Sequence, residues 1–190
     1  PILKGKKGFD DLYKVVKLLD SAGCYTTEED GLHVHHNAPE FVDNKELVIK
    51  LLRSWKHNEH NIAKFIDAQR AEWSLNDYDS PCPTFSYDAI EAYENLYGNM
   101  LPGYPYAFHR NNININALTE HGSIEFRWHE GTLHWPEIES WIRFGQSFLN
   151  GVINRKTPIM PAESPVILLN RLKTNDRARK FLTSKAGVVA

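Results

Sequence analysis

Three stretches of the chain alternate polar and apolar residues with period two, and their polar sides are built from residues that strands ordinarily avoid. In GLHVHHN (Gly31 to Asn37), His33, His35 and Asn37 oppose Leu32, Val34 and His36. In NNININAL (Asn111 to Leu118), Asn112, Asn114 and Asn116 oppose Ile113, Ile115 and Ala117. In GSIEFRWH (Gly122 to His129), Ser123, Glu125, Arg127 and His129 oppose Ile124, Phe126 and Trp128. Alternation with one apolar side specifies half-buried strands. TEHG joins the last two, which predicts an antiparallel hairpin. The plain alternative is a solvated sheet face, but such faces favour Thr, Lys and Glu. Asn is depleted in strands, and local rules are broken at functional sites.

Helices surround these strands. Phe9, Leu12, Val16 and Leu19 keep helical spacing up to a stop at Gly23. Asp43 with Glu46 reads as a variant capping box for a helix carrying Leu47, Val48, Leu51, Leu52 and Trp55, extended by Ile62, Phe65 and Ile66 to about Arg70. Residues 76–84 read as loop, Ser86 to Tyr97 as a helix ended by Gly98, and Pro102, Gly103 and Pro105 as another loop. Pro136 opens a helix with Ile138, Trp141, Ile142, Phe148 and Leu149, and Ser164 with Pro165 opens a last helical region. Its Arg171, Lys173, Arg177, Arg179, Lys180 and Lys185 read as a solvated basic face. The expected fold class is α+β, an antiparallel sheet with one polar ligand-binding face and helices packed on the other.

Composition narrows the function classes. A chain of 190 residues, 42% hydrophobic and 24% charged, buries a core, so disorder and coiled coil are excluded. A net charge of −2 argues against a binder of nucleic-acid backbones. No run of eighteen apolar residues occurs, so no membrane-spanning helix is expected. Cys24 and Cys82 form no CxxC pair, which excludes a zinc ribbon and fits a reducing, cytoplasmic setting.

His33 and His35 stand about 6.6 Å apart along a strand, close enough to converge on one metal or ligand. Glu125 and Arg127 add a carboxylate and a planar guanidinium fork from another strand. Histidine and carboxylate together hold a divalent cation, and a metal hydrolase using His33, His35 and Glu125 would have little need of the arginine. Phosphoryl transfer needs both cation and guanidinium. There is no P-loop and no G-x-G-x-x-G, so a nucleotide would lie on the sheet itself.

GLHVHHN, NININALTEHGSIEFRWHEGTL and the following PEIESWIRF, with the opening PILKGKKGFDDLYKVVKLLDSAGC, resemble the amidoligase family of phages and bacteria. That family belongs to the carboxylate–amine ligase superfamily with glutamine synthetase and glutamate–cysteine ligase. The similarity covers residues 1–152. It implies a partial glutamine-synthetase-like catalytic fold that uses ATP and Mg2+ (or Mn2+) to phosphorylate a carboxylate, which an amine then converts to an amide. By that resemblance His33 and Glu125 bind metal, His35 lies against the nucleotide phosphates, and Arg127 is the catalytic stabiliser of the transferred phosphoryl group. Asn114 falls where the family's strand carries an Asn; Asn112 and Asn116 share its face as candidate substrate-binding residues. The partners implied are small-molecule or peptide carboxylates and amines.

Two departures stand out. Position 36, apolar in the family, is His36, whose side chain should face the helices. The family's Glu-x-Glu strand, which supplies further metal carboxylates, would lie before Pro1, and Glu28, Glu29, Asp30 and Glu130 read as loop charges rather than replacements. The chain is therefore expected to be a folded fragment, with residues 1–155 a partial amidoligase-like domain and 156–190 a helical extension of it. A non-catalytic binding remnant of the same scaffold is the alternative.

Overall fold

The computed structural model describes residues 2–76, 80, 82–96, 108 and 110–188. Gly98 and the loop residues Pro102, Gly103 and Pro105 lie outside the described residues, as does part of the 76–84 loop. Among those described, the chain forms a mixed α/β domain around a three-stranded antiparallel sheet in the order β1-β3-β2. The strands are β1 (Gly31–Asn37), β2 (Ile113–Asn114) and β3 (Ser123–Glu130). The principal helices are α1 (Gly5–Ser21), α2 (Lys45–Ile62), α3 (Ala68–Asn76), α4 (Tyr87–Leu96), the short α5 (Ala117–His121), α6 (Trp135–Ile153), α7 (Pro165–Arg171) and α8 (Asp176–Lys185).

The apolar sides of the strands meet α2 and α6. Phe126 of the central strand packs edge-on against Trp55 of α2, with ring centroids 5.2 Å apart, and against Trp141 of α6 at 6.4 Å. Trp55 also meets Phe148 at 5.3 Å. Trp55, Trp128, Trp141, Phe144 and Phe148 are all fully buried. Each contributes about 1.5–3 kcal/mol or more of transfer free energy, so this seam between sheet and helices is the core.

Four local differences from the sequence reading have physical causes. First, the alternation of the second stretch does not run to Leu118. Asn114 Oδ1 accepts from Asn116 N at 2.9 Å, an Asx turn that takes the chain off the ladder and into α5. TEHG is thus the end of a helical turn, closed by Gly122 in the left-handed region (φ 61), and not a tight hairpin turn. Second, α2 is capped by Asn44, whose side chain accepts from Leu47 N, and not by Asp43, which has φ 55. The left-handed backbone at Asp43 moves the cap one residue on. Third, β3 carries a bulge. Leu32 pairs with His129 but Val34 pairs with Phe126, so one residue of β1 faces both Arg127 and Trp128. The extra residue reverses the parity beyond it. His129 therefore leaves the polar face expected for it and packs on Trp141, with ring centroids 5.1 Å apart. Fourth, the last helical region is two helices, and its basic residues are not all solvated; Lys185 binds Glu130 and Glu137.

The segment before α7 is tied to α2. Ser54 Oγ accepts from Ile159 N at 2.8 Å, Asn58 Oδ1 from Ala162 N at 3.0 Å, and Asn61 Nδ2 donates to Ala162 O at 2.6 Å. No described helix is long and apolar enough to cross a membrane.

His36 does face the helices. It lies 8% exposed, edge-on to Phe126 at 5.1 Å, and a Cβ at Gly145 of α6 would run into its Nε2. Burial, with a smaller contribution from His35, pushes its imidazole down from 6.5 to about 4. The fold thus favours the neutral ring. That contribution is full above the ordinary pKa and is lost as pH falls through about 4. Lowering pH from 7 to 4 should cost the wild type up to about 3 kcal/mol more than His36→Leu, read by urea denaturation at each pH. Parallel pH profiles for the two proteins would remove His36 as the cause.

Candidate functional site

Glu125 sits in the middle of the central strand, only 5% exposed. The register sets His35 of β1 and Asn114 of β2 directly opposite it on either side. Its Oε1 lies 3.1 Å from His33 Nδ1 and 3.5 Å from His35 Nε2. Asn114 Nδ2 donates to its Oε2 at 2.7 Å. Arg127, two residues along the strand, places Nη1 3.2 Å from Oε1 and 3.4 Å from Oε2. Burial pushes the Glu125 carboxyl upward. The hydrogen bonds from His33 and Asn114, with the charges of Arg127 and His35, outweigh it and hold the group at about 2.

Above this buried carboxylate the imidazoles open to solvent. The His33 and His35 side chains are 40% and 44% exposed. His35 Nδ1 is 3.0 Å from Ser123 Oγ, which orients the ring, and His121 of α5 stands beside it at 5.8 Å between centroids. The structure therefore brings His33, His35, Asn114, Glu125 and Arg127 into one group. Asn112 and Asn116 are less directly involved. Asn112 is fully buried and donates to Glu59 Oε1 of α2 at 3.1 Å, while Asn116 is 6% exposed at the start of α5.

Three neighbours of this face carry no motif in the sequence. Arg70 of α3 donates from Nε to Trp128 O at 2.9 Å and from Nη1 to Asp30 O at 3.2 Å, fixing the bulge beside His33. Glu59, whose carboxyl is raised chiefly by burial, is held by Lys56 at 2.5 Å as well as by Asn112. Cys82 lies buried against Arg127; burial pushes its thiol up to about 12, despite the charges of Arg70 and Arg127, so it is no nucleophile. All three come from helices or loops whose approach to the sheet only tertiary packing decides.

On this face two donors, His33 and Glu125, could share a divalent cation; among the described residues the group of three donors all within 4.8 Å of one another lies elsewhere. A spacing of 3.1 Å between His33 Nδ1 and Glu125 Oε1 falls in the range of neighbouring ligands around one ion bound at about 2.1 Å to each. One carboxylate with imidazoles suits Mn2+ better than Mg2+, which prefers several hard oxygens. A separate His129, Glu130 and Glu137 group, with donor atoms all within 4.8 Å of one another, is also able to coordinate a metal. Glu130, expected in a loop, is the last residue of β3. A cleft of about 790 Å³ opens elsewhere, lined by Phe9, Tyr13, Trp135, Glu139 and Arg143 among others.

Residues 1–149 match the model of a family described as "Putative amidoligase enzyme". The chain belongs to the amidoligase family. No curated protein and no solved structure matches it. Family membership brings ligase-type enzymatic character in general, and the match includes all three strands. It ends within α6, so α7 and α8 lie beyond it.

Asn114 is joined to Glu125 through its amide and to the Asx turn through its carbonyl oxygen. Asn114→Ala should raise the Glu125 carboxyl from about 2 toward its ordinary 4.5, followed by carboxyl-carbon NMR titration. It should also cost about 1–3 kcal/mol of stability. A Glu125 titration unmoved by the substitution would mean that His33 and Arg127 hold the carboxylate unaided.

Proposed function

We propose that the face around Glu125 is the reaction site of an ATP-dependent carboxylate–amine ligase that works through an acyl phosphate. The observation that carries this reading is the pairing of Arg127 with a buried, ionised Glu125 beneath two open imidazoles, within a chain of the amidoligase family. A metal hydrolase would have little need of that guanidinium. The reading extends to a partial glutamine-synthetase-like fold, with residues 156–190 an extension of the domain, and to a cytoplasmic setting where ATP is supplied.

The chemistry assigns each group a task. A carboxylate oxygen of the substrate attacks the γ-phosphorus of ATP, the bond to the bridging oxygen breaks, and ADP departs. The amine nitrogen then attacks the acyl carbon, inorganic phosphate leaves, and the nitrogen loses its proton. Charge accumulates on the transferred phosphoryl oxygens, and Arg127, held in place by Glu125, is the fixed positive group beside them. His33 and Glu125 would hold Mg2+ or Mn2+, which when bound neutralises the polyphosphate. His35, oriented by Ser123, would lie against the phosphates. Asn114 positions Glu125. A small-molecule or peptide carboxylate would bind against the open imidazoles, with the buried Asn112 and Asn116 flanking β2 in support rather than in contact.

The test supplies ATP, Mn2+ or Mg2+ and a panel of amino-acid and peptide carboxylates, with hydroxylamine as a general amine that intercepts acyl phosphates as hydroxamates. In a protein that carries the Glu-x-Glu strand as well, ADP, phosphate and hydroxamate should form together, and Arg127→Ala should lower the rate by about 10²–10³. AMP as the nucleotide product would point to adenylation and overturn the acyl-phosphate route. Turnover unchanged in Arg127→Ala would remove that residue from the mechanism.

A further inference from the structure

At the end of β3, on the helix-covered side, a second group of ligating side chains surrounds a buried lone pair. His129 is fully buried, and its Nδ1 lies 2.9 Å from the carbonyl oxygen of Glu130. A carbonyl can only accept, so Nδ1 carries the proton and donates it. In the tautomer that this bond selects, Nε2 bears the lone pair of the ring. That nitrogen is buried with no hydrogen-bond partner among the described residues and points toward Glu137 Oε1, 4.0 Å away. A lone pair and a carboxylate facing one another can both serve as ligands to a cation between them.

The two carboxylates are held from behind in the manner of metal ligands. Asp67 N donates to Glu130 Oε2 at 2.9 Å, and Thr132 Oγ1 donates to Glu137 Oε2 at 2.9 Å. With the His129 Nδ1 bond to a backbone carbonyl, every member has the outer support that orients ligands in metal sites. The remaining oxygen of each acid meets the Lys185 ammonium, 2.5 Å from Glu130 Oε1 and bonded to Glu137 Oε1. Lys185 comes from α8, beyond the family match.

We propose that His129 Nε2, Glu130 and Glu137 form a binding site for a zinc-class divalent cation, which the Lys185 ammonium closes by occupying the same position. Imidazole and carboxylate are zinc ligands at about 2.0–2.2 Å, so neighbouring donors stand about 3.3 Å apart. The donor atoms, all within 4.8 Å of one another, have at most about 1.5 Å to close to reach that geometry. The site is distinct from the Glu125 group, because the bulge has turned His129 to the opposite face. Metal entry would release Lys185, and with it one of the ties between α8 and the sheet.

The experiment is isothermal titration of ZnCl2 into the full 190-residue chain carrying His33→Ala and His35→Ala, so that the open face contributes no imidazoles. Adding Lys185→Met should tighten binding of one Zn2+ per chain at least tenfold. Adding either His129→Gln or Glu137→Gln to that protein should weaken it at least tenfold. Trp141 fluorescence should change on binding to the Lys185→Met protein, since its ring adjoins His129. Two results would overturn the proposal. One is a Lys185→Met protein that melts cooperatively yet binds Zn2+ no tighter than its parent. The other is tight binding that survives both ligand substitutions. Lys185→Gln serves as the uncharged variant should Lys185→Met not fold.

Discussion

One carboxylate, Glu125, ties the three strands together on the polar side of the sheet. It stands on the central strand, opposite His35 on one neighbour and Asn114 on the other, with Arg127 reaching back from its own strand. A buried carboxylate is costly unless paired and hydrogen-bonded. Here the partners more than compensate, and the group stays ionised down to about pH 2. The asparagines that make poor strand residues are explained by the same need. Asn114 gives an amide hydrogen to Glu125 and its oxygen to the turn that ends β2, two tasks that Lys, a donor only, could not combine.

The second determinant is the bulge at Arg127 and Trp128. Without it, His129 would join Arg127 on the open face. With it, the imidazole goes under α6, next to Trp141, and the strand ends in Glu130 beside Glu137 and Lys185. Arg70 holds the bulge by bonding the Trp128 carbonyl. A single inserted residue therefore separates two clusters of histidine and carboxylate, one open and one covered, that straight alternation would have merged.

Much of this was legible in the sequence. Period two placed His33, His35, Glu125 and Arg127 on one side, because side-chain parity survives twist and does not depend on neighbours. It also placed His36 against the helices, where Gly145 leaves room for its ring. What period two cannot register is a change of count. The bulge and the Asx turn each depend on hydrogen bonds to groups distant in sequence or to the backbone, so His129 and residues 116–118 went to the wrong place. Arg70, Glu59 and Cys82 were unreadable for a related reason: each sits on an element whose approach to the sheet is decided by tertiary packing, and no local pattern marks it. Lys185 looked like one charge on a solvated helix because its acidic partners lie 55 and 48 residues away.

The central claim is that the Glu125 face binds a divalent cation together with a nucleotide. Paramagnetic broadening tests it most directly. Mn2+·ATP titrated into the protein, with the imidazole resonances followed by NMR, should broaden His33 and His35 first, with His121 following because it adjoins His35. Glu125→Gln should abolish that order. Broadening that leaves His33 and His35 sharp, or that persists unchanged in Glu125→Gln, would place the metal–nucleotide complex elsewhere and contradict the assignment of this face.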